Sequence, residues 1–202
     1  MTAKKEGFGS KLALGSERLA GEIGQGAEKL LLTVKKQEVP AHDPRVKSGL
    51  GLMYALSSSG ADHWVAMHDP LFIKKGSVGL DSIALLGIMD PIPAKDLGPR
   101  KVTLYYYTHL MTMLYDCLGV CVFGYVSRSI VPLEMTMSLI KATTGWETSL
   151  WEMMKCGERA SLMMRLFNAR EGFGAADDRI PEMFYRNMST GPLQGKNRID
   201  RD

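Results

Sequence analysis

Cysteine is scarce in this chain, with only three cysteines among 202 residues. An odd count, without any of the framework spacings of small secreted domains, argues against a disulfide scaffold. Reduced thiols are therefore expected, as is usual in the cytoplasm, and they are available as ligands.

Neither an excess of one charge nor a long apolar run is present. Lys and Arg number 25 against 22 Asp and Glu, and the two signs are interspersed, so no field that would gather nucleic acid is expected. The opening MTAKKEGFGSKLALG lacks the apolar core of a signal peptide, and no later run approaches the roughly 18 apolar residues of a membrane span. We expect a cytoplasmic protein with no membrane span.

Alternation of apolar and polar residues, the signature of strands, is also nearly absent, whereas helical spacing recurs along the chain. The fold class predicted is mainly α, without a parallel sheet to carry a nucleotide. The tail from residue 173 is predicted to be irregular and to wrap another surface. Six helices are predicted, and glycines and prolines mark most of their ends. Their ranges are 10–23, 50–58, 80–88, 100–117, 132–144 and a last helix that begins at a capping residue, Thr148 or Ser149, and runs to 170.

The stretch LYDCLGVC places two of the three cysteines at a predicted helix end. Gly119 loosens the backbone between Cys117 and Cys121, so the two thiols need not act as a pair. A thiolate leaving a helix end suits a metal or an iron–sulfur cluster, but one cysteine cannot hold a cluster alone. Judged from these residues only, packing of Cys121 is favoured over ligation, and Cys156 is expected to pack as a small hydrophobe.

Polar residues concentrate in AHDPR and GADHWVAMHDP. Asp43 and Arg45 either clamp a loop near a cofactor or form a structural turn with an internal ion pair. His68 and Asp69 have no assigned role, since DP commonly marks a turn. His109 lies within a helical run beside tyrosines, which favours packing.

Four motifs in order resemble the aldehyde ferredoxin oxidoreductase family of tungsten or molybdenum enzymes. DCLGVC is similar to the family's Asp-x-x-Gly-Leu-Cys motif, with Val120 in place of the leucine. The other three are VPAHDPRVKSGLGLMYALSSSGADH, TGWETSLWEMMKCGERASLMMRLFNAREGF and the closing DDRIPEMF. The resemblance covers most of the chain. It implies the family's irregular multi-helical C-terminal domains, with residues 1–70 resembling part of the middle domain and 71–202 the C-terminal domain.

The resemblance also implies roles for five positions. His63 falls on the family's active-site histidine, although a partly buried histidine satisfied by its neighbours is the other interpretation. Asp116 falls where the family binds a pterin, with Leu118 and Gly119 in the same cofactor-binding motif. Cys121 falls on the fourth ligand of the family's 4Fe-4S cluster. Six polar residues of the family signature are expected instead to form a structural network around the last helix: Glu158, Arg159, Arg165, Asn168, Arg170 and Glu171.

Several family features are missing from this chain: the N-terminal β-rich domain, the Cys-x-x-Cys-x-x-x-Cys run, a first pterin aspartate motif and a catalytic glutamate. The expectation is therefore a C-terminal portion or subunit that is active only with an N-terminal partner chain. The resemblance implies a tungsten or molybdenum bis-pterin and a shared 4Fe-4S cluster, which oxidise small aldehydes to carboxylic acids and pass electrons to ferredoxin or a similar carrier. Two alternatives stay open: a cofactor-free scaffold or interaction subunit, and a related tungsten subunit that reduces an aromatic thioester.

Overall fold

A computed structural model of the chain describes residues 1–125, 130–196 and 199–200. Over these residues the fold is mainly α, as predicted, with eight α-helices and a single two-stranded sheet. In the described part of the chain, every helix is too short or too polar to cross a bilayer.

The N-terminal third is built from short elements. The predicted helix over 10–23 is wrong as a single element: it divides into α1 (Phe8–Leu12) and α2 (Ser16–Ile23) at Gly15, whose φ of 77° breaks the helical path. A hairpin that the sequence did not predict follows, with β1 (Thr33–Val34) paired antiparallel to β2 (Gln37–Glu38). The Glu38 carboxylate accepts hydrogen bonds from the backbone N–H and the hydroxyl of Ser16, both at 3.0 Å, and so holds the hairpin to the start of α2.

The middle of the chain is a helix flanked by turns. Helix α3 (Gly49–Leu56) confirms the helix predicted over 50–58, and a 3₁₀ turn covers Asp69–Phe72. The helix predicted over 80–88 is shorter than expected, because α4 (Val78–Ser82) gives way to a 3₁₀ turn at Ala84–Leu86.

Two long helices dominate the C-terminal half. Helix α5 (Pro99–Leu118) confirms the helix predicted over 100–117 with its end at Gly119; it begins at a proline, and Gly119 is in the left-handed conformation. Helix α8 (Leu150–Arg170) begins at Ser149, where Ser149 and Glu152 form the capping box. Between them lie α6 (Val122–Tyr125) and α7 (Leu133–Thr144).

The two long helices cross closely, and α5 joins two hydrophobic clusters. The first cluster packs the turns of residues 67–92 against α5, α7 and α8; its buried members are Met67, Phe72, Leu80, Ile83, Ile88, Ile92, Leu104, Leu110, Met111, Tyr115, Leu133 and Met154. The second joins residues 34–66 to the tail; its buried members are Val34, Leu50, Met53, Tyr54, Ala61, Val65, Ala66, Ile180, Phe184 and Ile199.

The tail is irregular, as expected, with 3₁₀ turns at Ala175–Asp177 and Glu182–Tyr185. Its apolar side chains enter the second cluster, and the Ile199 N–H donates to the Phe184 carbonyl oxygen at 3.0 Å. The division at residue 70 stays a prediction.

Candidate functional site

His63 lies in the loop between α3 and the turn Asp69–Phe72. The Asp62 carboxylate accepts a hydrogen bond from the Trp64 backbone N–H at 2.7 Å, which folds the chain tightly on either side of His63. The half-buried His63 ring has two imidazole neighbours: its centroid lies 4.9 Å from that of His42 and 5.9 Å from that of His68. Three histidines from separate parts of the loop region therefore meet.

All three histidines are held toward the neutral form. Burial, followed by the charge of Lys47, lowers the pKa of His42. Burial and the neighbouring His42 lower the pKa of His63. Burial is also the main cause that brings the pKa of His68 to about 4. Around neutral pH, the cluster therefore presents uncharged imidazoles, which can both accept and donate hydrogen bonds.

A lysine contacts two of the three histidines, and no sequence pattern predicted it. Lys47 Nζ lies 2.7 Å from His68 Nδ1 and 3.4 Å from His42 Nδ1. His42 and Lys47 were both absent from the predicted site. These two residues lie 21 and 16 positions before His63 in the sequence, and they approach it only through the packing of the loops. A local sequence pattern cannot predict such packing.

The motif DCLGVC lies at the end of α5, where a glycine cap fixes its path. Gly119 has a φ of 67°, and the Val120 N–H donates to the Tyr115 carbonyl oxygen at 3.2 Å, closing the turn typical of a helix that ends in glycine. Asp116 and Cys121 are both solvent-exposed on the two sides of this cap. The described residues thus present a carboxylate and a thiol at one helix end, accessible from outside the chain.

Asp116 is electrostatically linked to the loop of His63. Partial desolvation raises the pKa of the Asp116 carboxyl, the negative charge of Asp62 adds to that rise, and His109 opposes it. An effect of Asp62 on Asp116 requires the two carboxylates to lie within reach of one another.

A ring contact brings the same two segments together. Trp64, next to His63, packs edge-on against Phe123, two residues beyond Cys121, with ring centroids 4.6 Å apart. Residues that are about 60 positions apart in the chain are therefore neighbours in space. The structure brings together the loop that carries His63 and the motif that carries Asp116, Leu118, Gly119 and Cys121.

The donor set of this region suits part of a larger inorganic centre. An exposed carboxylate is an acceptor for the N–H edge of a ring such as a pterin, and an exposed thiol is a soft ligand that suits iron. Within the described ranges, no three His, Cys, Asp or Glu side chains are grouped so as to hold a metal ion. The described residues therefore fit such a centre as one contributor among several.

The two other cysteines face one another instead. Cys117 on α5 and Cys156 on α8 are in hydrogen-bond contact, and burial together with Cys156 raises the pKa of the Cys117 thiol. Cys156 was expected to pack as a small hydrophobe; in the structure it is partly buried and contacts the Cys117 thiol.

Other polar residues singled out from the sequence have structural partners. Arg45 pairs with Asp43 at 2.6 Å, which is the internal ion pair of a structural turn. His109 bonds the Val65 carbonyl oxygen at 2.7 Å and the Ser161 hydroxyl at 2.8 Å, so it joins α5 to α8 and to the loop of His63.

Three members of the predicted network around the last helix make side-chain bonds. Glu158 accepts from the Tyr106 hydroxyl at 2.7 Å, and Arg165 binds both carboxylate oxygens of Asp178, at 2.9 and 2.6 Å. The Asn168 amide donates to the Ser58 carbonyl oxygen at 2.7 Å. These bonds tie α8 to α5, to the tail and to the loop after α3.

The comparison with known families accounts for this combination of a helical fold and an exposed carboxylate-and-thiol motif. The family model described as "Aldehyde ferredoxin oxidoreductase, domains 2 & 3" matches residues 1–201, so the chain belongs to the aldehyde ferredoxin oxidoreductase family. The resemblance recognised in the motifs is thereby confirmed.

Individual proteins similar to this chain belong to the same family. The chain is 35% identical over 195 residues to the tungsten-containing aldehyde ferredoxin oxidoreductase of Pyrococcus furiosus, and 33% and 31% identical to proteins of the same description from Pyrococcus horikoshii and Thermococcus kodakarensis. Each match covers 96% of this chain but 29% of the relative.

Proposed function

We propose that this chain is the C-terminal portion of a tungsten or molybdenum bis-pterin, 4Fe-4S enzyme that oxidises small aldehydes to carboxylic acids. In that reaction an aldehyde and water give a carboxylic acid, two protons and two electrons. When bound, the pterin-held metal would take the two electrons and the cluster would pass them singly to ferredoxin or a similar carrier.

The observation that carries the proposal is the contact between Trp64 and Phe123. It brings the loop of His63 beside the motif that ends in Cys121, although the two are far apart in sequence. A substrate-side histidine and a cluster ligand must lie on neighbouring surfaces if both serve one reacting centre. The effect of Asp62 on the pKa of Asp116 supports the same closeness.

Cofactor binding is assigned to the cap of α5. The Asp116 carboxylate would accept hydrogen bonds from the donor edge of a pterin, and Leu118 and Gly119 form the turn next to it. The Cys121 thiolate would give one of four iron ligands. Gly119 permits this arrangement, because its positive φ reverses the chain between the carboxylate and the thiol.

His63 is assigned the substrate side. Its pKa is lowered by burial, so a ring nitrogen is free to accept one of the two protons released in the reaction. The rings of Trp64 and His42 pack against the His63 ring, with centroids 5.4 and 4.9 Å away. The residue therefore orients the aldehyde oxygen and holds a proton close to it.

A partner polypeptide is part of the proposal, because the chain spans 29% of its relatives. Helix α8 would suit such a partner, since six of its large apolar side chains are exposed and are spread over more than one side of the helix. These six residues are Trp151, Leu162, Met163, Met164, Leu166 and Phe167. Covering them with the N-terminal portion would remove these apolar side chains from water. The assembly is placed in the cytoplasm, where the three unpaired thiols would stay reduced.

The test is metal analysis of this chain purified with an N-terminal portion that carries three closely spaced cysteines. Tungsten or molybdenum together with about four irons per complex is the expected result. Cys121→Ser should abolish the cluster signal in electron paramagnetic resonance, whereas the matched variant Cys117→Ser should keep it. His63→Ala should keep the metals but lower aldehyde turnover by about 100-fold or more. A native complex without metal would contradict the proposal.

A second candidate is a cofactor-free scaffold or interaction subunit. The observation in its favour is that the described residues hold no grouped set of metal-binding side chains. In that case Cys121→Ser and His63→Ala would leave the assembled complex unchanged in metal content and in every activity measured.

A further inference from the structure

Both ring nitrogens of His68 are engaged, which defines its tautomer. His68 Nε2 lies 2.8 Å from the backbone carbonyl oxygen of His63, and His68 Nδ1 lies 2.7 Å from Lys47 Nζ. A carbonyl oxygen can only accept and an ammonium group can only donate. His68 must therefore carry its proton on Nε2, donate it to the His63 carbonyl and accept from Lys47 on Nδ1.

The positive charge of Lys47, on which this arrangement depends, is favoured by a neighbouring carboxylate. Burial lowers the pKa of Lys47, but the carboxylate of Asp69 acts in the opposite direction and favours the ammonium form. Asp69 in turn is buried and paired with Lys101 at the start of α5. A chain of groups thus runs from α5 through Asp69 and Lys47 to His68.

The hydrogen bond to His63 should also persist over the pH range in which enzymes work. A second proton on His68 would have to replace the hydrogen bond from Lys47, and the pKa of His68 lies at about 4. The donor to the His63 carbonyl is therefore present above that pH without change of charge.

His63 needs such a support because no helix or strand holds it. Residues 57–68 form turns and bends between α3 and the 3₁₀ turn at Asp69–Phe72. The hydrogen bond that Asp62 accepts from Trp64 fixes the chain after His63, and the bond from His68 fixes the His63 carbonyl itself. Two side chains outside the reacting centre, those of Asp62 and His68, therefore hold the backbone from which the His63 ring projects.

We propose that Lys47 and His68 are positioning residues that orient His63: Lys47 fixes the tautomer of His68, and His68 Nε2–H holds the His63 backbone. This inference rests on the proposed role of His63 at the substrate side. Lys47 and His68 themselves are not assigned any contact with the substrate. Loss of a residue that orients a site residue through a hydrogen bond typically lowers activity by about 10- to 100-fold.

The first experiment uses the full chain labelled with ¹⁵N-histidine and follows the imidazole nitrogens by nuclear magnetic resonance. In the unmodified chain, His68 should show the Nε2–H tautomer from about pH 5 to about pH 8. His68→Leu should shift and broaden the His63 ring signals, because the donor is lost. His68→Gln should leave them close to their original positions, because its amide nitrogen reproduces the Nε2 donor.

Lys47→Met tests the other half of the proposal. It should raise the pKa of His68, because the competing ammonium has gone, and it should weaken the preference for the Nε2–H tautomer, which the His63 carbonyl alone would then support. Tyr106→Phe is the control, since it removes a hydrogen bond from α5 to Glu158 of α8 that involves none of the three clustered histidines, and it should leave the signals of His42, His63 and His68 in place. An Nδ1–H tautomer of His68, or His63 signals indifferent to His68→Leu in a chain of unchanged circular dichroism, would overturn the proposal.

The second experiment uses the complex with the N-terminal portion. His68→Leu should lower kcat by about 10- to 100-fold with little change in KM and in metal content, and His68→Gln should restore most of it. If the complex carries no metal or activity, the proposed function fails while the resonance experiment still decides whether His68 orients His63. If the complex is active and His68→Leu matches the unmodified chain in kcat, the positioning role fails and the proposed function stands.

Discussion

Gly157 of α8 lies directly against the backbone carbonyl oxygen of Leu110 on α5. A Cβ atom at residue 157 would overlap that oxygen, and it would also crowd the Leu114 nitrogen. The close crossing of the two long helices therefore depends on the absence of a side chain at this one position. The obstacle is backbone, so it cannot be relieved by a change of rotamer.

Gly157→Ala is therefore expected to force the helices apart and to lower the free energy of unfolding by about 1–3 kcal/mol or more. Equilibrium unfolding in urea measures the change. Gly21→Ala in α2 is the matched control, because a Cβ there meets nothing within 4 Å. It should raise stability by about 0.5–1 kcal/mol, the ordinary gain for alanine over glycine in a helix. Equal behaviour of the two variants would contradict the close crossing.

The buried pair of Lys101 and Asp69 gives a second prediction. Both side chains are almost fully buried, and the second carboxylate oxygen of Asp69 has no hydrogen-bond partner among the described residues. Lys101→Met leaves this carboxylate without its cation, and a loss of about 3–5 kcal/mol is expected. Adding Asp69→Asn should recover part of that loss, because the unpaired charge is removed. A double-mutant cycle measures the coupling, and additive single effects would contradict the pairing.

Asp178 predicts a dependence of stability on pH. Its carboxylate pairs with Arg165 of α8 at 2.6 Å and with Lys35 of the hairpin turn at 2.8 Å. Arg165 is the main cause of the lowered pKa of Asp178, and Lys35 adds to it. A carboxyl group whose pKa is lower in the folded state stabilises the fold above its unfolded pKa of about 3.9. That stabilisation is lost as the pH falls through the folded pKa.

Asp178→Asn should therefore lower the free energy of unfolding near neutral pH by about 2 kcal/mol. The difference from the unmodified chain should shrink as the pH falls below about 4. Urea unfolding at a series of pH values gives the comparison. Glu147→Gln, at an exposed pair with Lys141, should change stability by less than about 1 kcal/mol. A constant difference between Asp178→Asn and the unmodified chain at every pH would refute the linkage.

Cys117 and Cys156 lead to a prediction about thiol reactivity. Burial and the contact with Cys156 raise the pKa of Cys117, which lowers its thiolate fraction. Cys156→Ala removes that contact and should speed the alkylation of Cys117 by iodoacetamide at about pH 8. Mass spectrometry of the peptides gives the rate, with Cys121 as the reference in the same sample. An unchanged ratio of the two rates would show that Cys156 does not influence Cys117.

The long helices could be predicted from the sequence because their ends carry local signals. Gly119 and Ser149 mark the end of α5 and the start of α8, and each acts through its own backbone conformation or side chain. The hairpin at residues 33–38 was missed because two-residue strands are too short to show alternation. The helix over 10–23 was predicted as continuous because the apolar spacing carries across Gly15.

The candidate site could be predicted only in part. His63 and Cys121 were found through motif resemblance, which needs no knowledge of how the loops pack. Lys47 was missed because its bond to His68 joins two residues 21 positions apart that lie in separate loops. The closeness of Trp64 to Phe123 likewise depends on tertiary packing. The roles assigned to the site residues stay predictions.

Helix α5 also has a mechanical consequence. Lys101, near one end, forms the ion pair with Asp69, and Asp116, near the other, lies about 23 Å along the axis at 1.5 Å per residue. One continuous helix therefore connects the buried ion pair with the exposed carboxylate. A displacement of α5 that breaks the pair with Asp69 would also move Asp116, so the loop of His63 and the cap of α5 would lose their relative position.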